Sequence, residues 1–163
     1  RSHCPQVHTT HHSYPCDWLI IAAGLGSTPL TATLQQTVDL RPVLGQAVQM
    51  QLQKPLGNPD WQPVVTGEDV HIVPLGAASY WIGATVEFGA ELEPPIADSA
   101  RLETLVQQAI ALCPALAEGT IVHTWSGLRP RPEGRPAPIV EPLPGYDNIL
   151  LATGHYRNGI LLA

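Results

Sequence analysis

The sequence predicts an α+β fold, in which a single helix covers a mixed or antiparallel sheet. Its apolar residues fall into short runs rich in β-forming residues, and turns containing many of the 17 prolines and 14 glycines separate these runs. Only residues 99–113 have the spacing of an amphipathic helix. Strands and helix are therefore segregated along the chain, which is typical of α+β proteins.

The first 16 residues combine histidines with Cys4 and Cys16 and show no periodicity. We expect an irregular His-rich lead-in there and no metal site, because the spacing matches no zinc-binding pattern. Residues 17–24 form a short apolar run that ends in glycine, which predicts a buried strand. The following Gly24-Leu25-Gly26-Ser27-Thr28 predicts a turn into a helix capped by Ser27 or Thr28. Such a turn either holds a phosphate or is a plain connection.

The middle of the chain predicts strands. Residues 46–52 alternate polar and apolar side chains, as a half-buried strand does. Residues 70–75 and 80–86 predict two strands of a hairpin, joined by a turn at 76–79. His71 and Val86 lie near the open ends of this hairpin, so their side chains are candidates to line a pocket.

Residues 99–113 predict a helix that supports the core. Their apolar side chains form a single stripe, Asp98 or Ser99 is placed to cap the first turn, and Pro114 ends the helix. Cys113 belongs to the apolar stripe, which makes it a buried thiol and not a nucleophile. The stripe consists of Leu102, Leu105, Val106, Ala109, Ile110 and Cys113.

Two arginines near the end of the chain each follow a strand-like run. Residues 120–125 predict a strand that leads into Arg129, with a rigid, irregular loop at 130–138. Residues 148–153 predict a last strand before the turn that contains Arg157. Two guanidinium groups in one pocket would clamp a small carboxylate, whereas the alternative is a pair of surface salt bridges. Gly154 and Gly159 permit close main-chain approach, which suits a flat cofactor with polar edges.

Composition excludes several classes of protein. Eight basic against fourteen acidic residues give a net charge of −6, which argues against broad binding of nucleic acid or anionic membranes. No apolar run reaches the roughly 20 residues that span a bilayer, and the N-terminus has no signal-peptide layout. Three cysteines at irregular spacing favour a reducing, cytoplasmic setting. The chain starts at Arg1 and stops inside an apolar run, so we expect a fragment.

With these residues in view, the chain resembles the D-amino-acid oxidase family of flavoproteins, and within it the glycine oxidase branch that serves thiamine biosynthesis. The resemblance covers residues 17–163. Its specific supports are Trp125-Ser126-Gly127-Leu128-Arg129-Pro130 and the run from Gly154 to Leu162, in this order and at this separation. Weaker supports are Ala22-Ala23-Gly24, the segments 41–46 and 67–74, and Gly83-Ala84-Thr85.

The resemblance implies a two-domain FAD enzyme. Residues 43–125 would form the substrate-binding domain, and residues 17–42 and 126–163 would belong to a Rossmann-like FAD-binding domain. Its nucleotide-binding N-terminal part is expected to be missing, because Gly-x-Gly-x-x-Gly does not occur in the sequence. Arg129 and Arg157 would be the catalytic, carboxylate-binding arginines. His71 and Val86 would line the substrate pocket, where relatives have tyrosine and, in some cases, methionine. The implied FAD-binding residues are Ala23, Gly24, His155, Tyr156, Arg157, Asn158, Gly159, Ile160 and Leu161.

The implied activity is oxidative deamination of glycine, small amines or D-amino acids to an imine and then a 2-oxo acid, with oxygen reduced to hydrogen peroxide. The implied partners are the amino acid and oxygen, copies of the same protein in a homo-oligomer, and an enzyme of thiazole synthesis. Two alternatives remain open at this point. One is a related FAD oxidase or dehydrogenase acting on sarcosine, D-amino acids or proline, and the other is a flavin-free, non-catalytic remnant.

Overall fold

A computed structural model describes residues 1–89 and 95–159. The chain divides into two compact units, one formed by Arg1–Pro42 with Arg129–Ala163 and the other by Val43–Leu128. The expectation of several sheets and few helices is confirmed. In chain order the elements are β1 (Gln6–His8), β2 (Ser13–Pro15), β3 (Leu19–Ile21), α1 (Ser27–Thr33), β4 (Leu40–Gln51), β5 (Val65–Gly67), β6 (Val70–Gly76), β7 (Ser79–Gly83), β8 (Glu87–Phe88), α2 (Ser99–Leu112), β9 (Thr120–Pro132), β10 (Ile139–Pro142) and β11 (Ile149–Thr153), with short 3-10 helices at Gly24–Gly26 and Pro114–Glu118.

The first unit contains a three-stranded sheet in the order β10-β11-β3. Strand β11 is antiparallel to β10 and parallel to β3, with Leu151 opposite Ile21. These strands are short runs of isoleucine and leucine whose side chains alternate between the two faces of the sheet. The buried members pack into one cluster around Ile21, Ile139, Ile149 and Leu151. Strand β10 begins directly after the loop predicted at 130–138, in residues for which no element was predicted, so its existence was missed.

The first 16 residues are ordered, which corrects the expectation of an irregular lead-in. Strands β1 and β2 form an antiparallel hairpin in which Val7 lies opposite Tyr14. The hairpin forms from local signals, because two β-forming residues flank a polar turn. The turn is closed by a hydrogen bond from the Thr9 N–H to the His12 carbonyl at 2.8 Å. Within residues 1–89 and 95–159, no group of three or more His, Cys, Asp or Glu side chains is placed to hold a metal ion.

The second unit is built on a six-stranded sheet in the order β5-β6-β7-β4-β8, with β9 also paired to β4. The predicted hairpin is confirmed as β6 and β7, in which Ile72 faces Ile82, although β7 ends at Gly83 and not at residue 86. Helix α2 covers one face of the sheet. The core between them consists mainly of Val48, Met50, Val70, Ile72, Tyr80, Ile82, Leu105, Val106, Ala109 and Leu116.

The predicted helix at 99–113 is confirmed as α2. The Asp98 side chain accepts a hydrogen bond from the Ala100 N–H at 2.9 Å, and Pro114 begins a separate 3-10 helix. Cys113 is half-buried against the core.

Among the residues that the structure describes, none of the helices has both the length and the apolar character needed to span a membrane.

Two local predictions were wrong. Ser27 does not cap α1 with its side chain, because Ser27 is the first helical residue and its hydroxyl donates instead to Thr153 Oγ1 at 2.9 Å. The loop predicted to begin at residue 130 begins later, since β9 continues to Pro132. Proline is compatible with a strand where its missing N–H is not required for pairing.

A buried carboxylate fixes the start of α2 to the sheet. Glu87 is 3% exposed, and its Oε1 accepts hydrogen bonds from Gln46 Nε2 at 2.7 Å and from the Thr85 hydroxyl. Its Oε2 accepts from the Asp98 N–H at 3.1 Å. A buried charge is tolerated only when such donors surround it. Glu87 therefore joins β4, β8 and the N-terminus of α2.

We expect Glu87→Gln to lower the free energy of unfolding by about 1–3 kcal/mol, because the amide group replaces one acceptor with a donor and leaves a buried donor unmatched. The measurement is equilibrium denaturation followed by circular dichroism. Glu141→Gln is the matched control, since Glu141 pairs with Arg135 at an exposed site and exposed pairs contribute little. Equal losses in both variants would contradict a special role for the Glu87 network.

Candidate functional site at the carboxyl edge of two parallel strands

Strands β3 and β11 are parallel, so their carboxyl ends meet at one edge of the sheet of the first unit. In parallel sheets, ligands bind in the crevice outside this edge. Ala23 and Gly24 follow β3, while His155, Tyr156, Arg157, Asn158 and Gly159 follow β11. The structure thus brings the described part of the predicted cofactor-binding set to a single edge. Ile160 and Leu161 lie outside the described residues.

A buried chain of hydroxyl groups connects the two turns. Ser27 is 0% exposed and Thr153 is 2% exposed. The Ser27 hydroxyl donates to Thr153 Oγ1 at 2.9 Å, and the Thr153 hydroxyl donates to the Gly24 carbonyl at 3.3 Å. The turn after β3 is therefore held against the end of β11. Ser27 and Thr153 were not identified from the sequence as residues that position these turns. The one feature that pointed to this role was Thr153, a hydroxyl residue at the end of an apolar run.

The main chain of the two turns is shaped by glycines that β9 packs against. Gly154 has φ +65°, and a Cβ there would lie 2.8 Å from Pro132 Cγ and 3.1 Å from Leu40 Cδ2. Gly24 has φ +55°, with Pro130 Cγ 3.9 Å from the corresponding position. Because Pro130 packs against Gly24, the main chain of the neighbouring Arg129 lies at the same corner. Arg129 itself is half-buried.

The segment after β11 is a tight turn. The Asn158 N–H donates to the His155 carbonyl at 3.0 Å. Tyr156 adopts φ +54°, a left-handed conformation that is uncommon for residues other than glycine and is concentrated at functional sites. His155 and Tyr156 are half-buried, whereas Arg157 and Asn158 are exposed. Arg157 therefore lies on the surface of this edge, whereas Arg129 belongs to β9 and directly precedes the Pro130 that packs against Gly24.

The described residues fit one part of FAD. Two glycine-containing turns expose main chain at the edge, and the fixed hydroxyl network keeps both turns in place, which suits a flat ring with polar edges. A pyrophosphate cradle needs three glycines in a strand–turn–helix. The turn after β3 has Gly24 and Gly26, but Pro29 stands where the third glycine belongs, and α1 has only 7 residues. The fit is therefore to the ring and not to the pyrophosphate.

The two predicted pocket residues lie in the second unit. His71 is in β6 opposite Gly83, and its Nδ1 is 3.1 Å from Thr66 Oγ1. Val86 lies in the connection between β7 and β8, and its carbonyl accepts from Arg101 at 3.5 Å. Val86 also lines a cavity of about 280 Å³ beside α2, whose lining does not include His71. A shared role for His71 and Val86 stays a prediction.

Comparison with known proteins gives the family. A model of the FAD dependent oxidoreductase family matches residues 1–163. The chain belongs to this family. Glycine oxidase of Pseudomonas putida is 33% identical over 159 residues, which cover 96% of this chain and 41% of that protein. The Bifunctional protein ThiO/ThiG of Synechocystis is 34% identical over 163 residues, covering 96% of this chain and 23% of that protein.

Solved structures agree with this assignment. The crystal structure of glycine oxidase from Geobacillus kaustophilus superposes with a TM-score of 0.80 at 29% identity, covering 96% of this chain and 41% of that one. L-proline dehydrogenase from P. horikoshii has a TM-score of 0.79 at 18% identity over 98% of this chain and 42% of its own, a likeness that shows the fold alone. The chain spans about two fifths of the length of the glycine oxidases that it matches.

Proposed function

We propose that this chain is part of an FAD-dependent glycine oxidase. The enzyme converts glycine, and also small amines or D-amino acids, to the imine and then the 2-oxo acid, and it reduces oxygen to hydrogen peroxide. The observation that carries the proposal is the edge of β3 and β11, where residues 23–24 and the 155–159 turn meet in a chain similar to glycine oxidases along 96% of its length.

The protein residues bind and orient the substrate. Arg129 pairs with the substrate carboxylate through its planar guanidinium group, and Arg157 supplies a second positive charge. Holding the carboxylate in this way fixes the position of the substrate Cα, which is a contribution of positioning to the rate. When bound, FAD supplies the chemistry of accepting a hydride and passing two electrons to oxygen. Ala23, Gly24 and residues 155–161 hold its ring against the main chain.

We propose the following division of the chain into domains. Residues 43–125 form the substrate-binding domain, with His71 and Val86 facing the substrate. Residues 17–42 and 126–163 belong to the FAD-binding domain, and the strand–turn–helix that cradles the pyrophosphate lies in a part of the protein outside these 163 residues. The family resemblance supports this division, and so does the compactness of the segment Val43–Leu128.

The proposed product is used in thiamine thiazole synthesis. We propose an enzyme of thiazole synthesis as the partner of this protein. Relatives named Bifunctional protein ThiO/ThiG support this partnership, because their name joins two proteins in one chain. We also propose that the complete enzyme is a homo-oligomer. Oxygen and the amino acid are its small-molecule partners.

The test is made on the full-length protein. We expect one equivalent of FAD by absorbance, and glycine-dependent oxygen consumption that produces an equal amount of hydrogen peroxide. Sarcosine, D-alanine and proline serve as competing substrates, and an artificial electron acceptor replaces oxygen in a parallel assay. Bound FAD with turnover of proline and an artificial acceptor, but without peroxide from glycine, would exclude the oxidase and favour a dehydrogenase.

Substrate size provides a further prediction. Glycine has no side chain beyond Cα, whereas a D-alanine methyl must find room beside Val86, and overfilling a packed pocket costs roughly 1–3 kcal/mol. We expect Val86→Ala to raise kcat/KM for D-alanine relative to glycine. Val65→Ala is the matched control, since Val65 is an exposed valine on β5. A Val86→Ala effect that is equal on both substrates would show that Val86 does not face the substrate.

A further inference from the structure

Two cysteines lie together at the open end of the β1–β2 hairpin. Cys4 comes shortly before β1, and Cys16 follows β2 directly. The Cys16 N–H donates to the Pro5 carbonyl at 3.0 Å, and the Cys16 thiol donates to the Cys4 carbonyl at 3.7 Å. Both residues are half-buried and both are free thiols. The strand pairing therefore brings the two side chains to the same place.

A buried amide holds this arrangement from outside the hairpin. Asn148 is 3% exposed, and its Oδ1 accepts from the Cys4 N–H at 2.9 Å. Its Nδ2 donates to the Cys4 carbonyl at 2.7 Å and to the Asp17 carbonyl at 3.1 Å. One side chain thus binds main chain next to both cysteines, so the separation of the two thiols is fixed by the fold of the first unit.

The environment controls when the thiols react. Burial raises the pKa of the Cys16 thiol, and its interactions with Cys4 and Asp17 raise it further. Because the thiolate is the nucleophile, Cys16 becomes more reactive as the pH rises through this elevated pKa. A thiol oxidised to sulfenic acid condenses readily with a neighbouring thiol.

We propose that Cys4 and Cys16 form a dithiol that hydrogen peroxide oxidises to an intramolecular disulfide. In the first step a thiol gives up its proton and its thiolate sulfur attacks peroxide, an S–O bond forms as the O–O bond breaks, and the leaving hydroxide takes up a proton, so that sulfenic acid and water result. In the second step the other thiol attacks the sulfenic sulfur, the S–S bond forms as the S–O bond breaks, and the hydroxyl leaves with the thiol proton as a second water. Two electrons pass from the two sulfurs to one peroxide. That this protein itself supplies the peroxide rests on the proposed function. The reactivity of Cys4 and Cys16 towards peroxide does not depend on it.

The disulfide lies away from the candidate site. Asn148 directly precedes β11, and Asp17 lies two residues before the start of β3. The cysteines are therefore at the amino ends of these strands, whereas the predicted FAD-binding turns are at the carboxyl ends. Oxidation closes the loop of residues 4–16 and restricts the unfolded chain. We therefore expect the oxidised protein to unfold several degrees higher while the site residues keep their contacts.

The test begins with added peroxide on the reduced full-length protein. After alkylation of the remaining thiols, peptide mass spectrometry should find Cys4 linked to Cys16, with Cys113 still alkylated as the internal control. Oxidation should accelerate from about pH 7 to about pH 9, and dithiothreitol should reverse the rise in Tm. Cys4→Ser and Cys16→Ser should each abolish the Tm shift. Absence of the linked peptide, or equally fast oxidation of Cys113, overturns the proposal.

A second arm separates the proposal from the proposed function. The protein is supplied with glycine and oxygen, with and without catalase, and the linked peptide is measured again. A disulfide that forms with glycine and is suppressed by catalase supports both the peroxide-sensitive dithiol and the proposed glycine oxidase activity. A disulfide that forms only with added peroxide supports the dithiol and counts against glycine as the source of peroxide.

Discussion

Arg129→Ala should greatly decrease kcat/KM for glycine in the full-length protein, mainly through a higher KM. Removing one partner of a buried, hydrogen-bonded charge pair costs about 2–5 kcal/mol. Since 1.4 kcal/mol is tenfold, this corresponds to a loss of roughly 30-fold to several thousandfold. FAD should stay bound, because the predicted flavin contacts come from the turns after β3 and β11. The measurement is steady-state kinetics combined with flavin absorbance.

Two further variants make the Arg129 result specific. Arg129→Lys should recover only part of the activity, because an ammonium group keeps the charge but cannot form the planar fork. Arg131→Ala is the matched control, since Arg131 lies two residues along the same strand and pairs with Glu133 at 3.8 Å at an exposed position. Glycine kinetics that stay unchanged in Arg129→Ala would show that Arg129 is structural. A loss of equal size in Arg131→Ala would indicate a general effect of charge.

The elements that local sequence determines were predicted well. Helix α2 has a 3.6-residue apolar stripe, an N-cap at Asp98 and a terminating Pro114, so its signals are all contained within one segment. The β6–β7 hairpin likewise has its turn and both strands in continuous sequence. These features need no information about distant residues.

What was missed depends on partners far along the chain. Strand β10 is short and gains its strand geometry from pairing with β11, and β-structure is decided more by such context than by propensity. The same holds for the site. The sequence motif identified Gly24 and the 155–159 turn, but the hydroxyl chain from Ser27 through Thr153 joins residues 126 positions apart. The packing of two prolines of β9 against Gly24 and Gly154 also arises only in the folded chain.

Gly154→Ala should be the most destabilising single change at the candidate site. The added Cβ would lie 2.8 Å from Pro132 Cγ, where the rigid proline ring cannot move aside, and 3.1 Å from Leu40 Cδ2. The φ of +65° adds a conformational cost of about 1–2 kcal/mol for a residue with a Cβ, and overpacking adds roughly 1–3 kcal/mol. We expect the free energy of unfolding to fall by about 2–5 kcal/mol. FAD affinity should fall too, because a main-chain shift that relieves this contact would displace the adjoining 155–159 turn, which is proposed to hold the flavin.

A neighbouring glycine separates these two costs. Gly134 has φ +66° and nothing within 4 Å of a Cβ, so Gly134→Ala should show the conformational cost alone. The difference between the two variants in denaturant unfolding then measures the contact with Pro132 and Leu40. In the double variant Gly154→Ala with Pro132→Ala, removing the ring should restore part of the loss, giving a favourable coupling energy. Equal destabilisation by the two glycine substitutions, with no coupling to residue 132, would mean that β9 does not pack against the turn. The proposed arrangement of the two turns that hold the flavin would then be wrong.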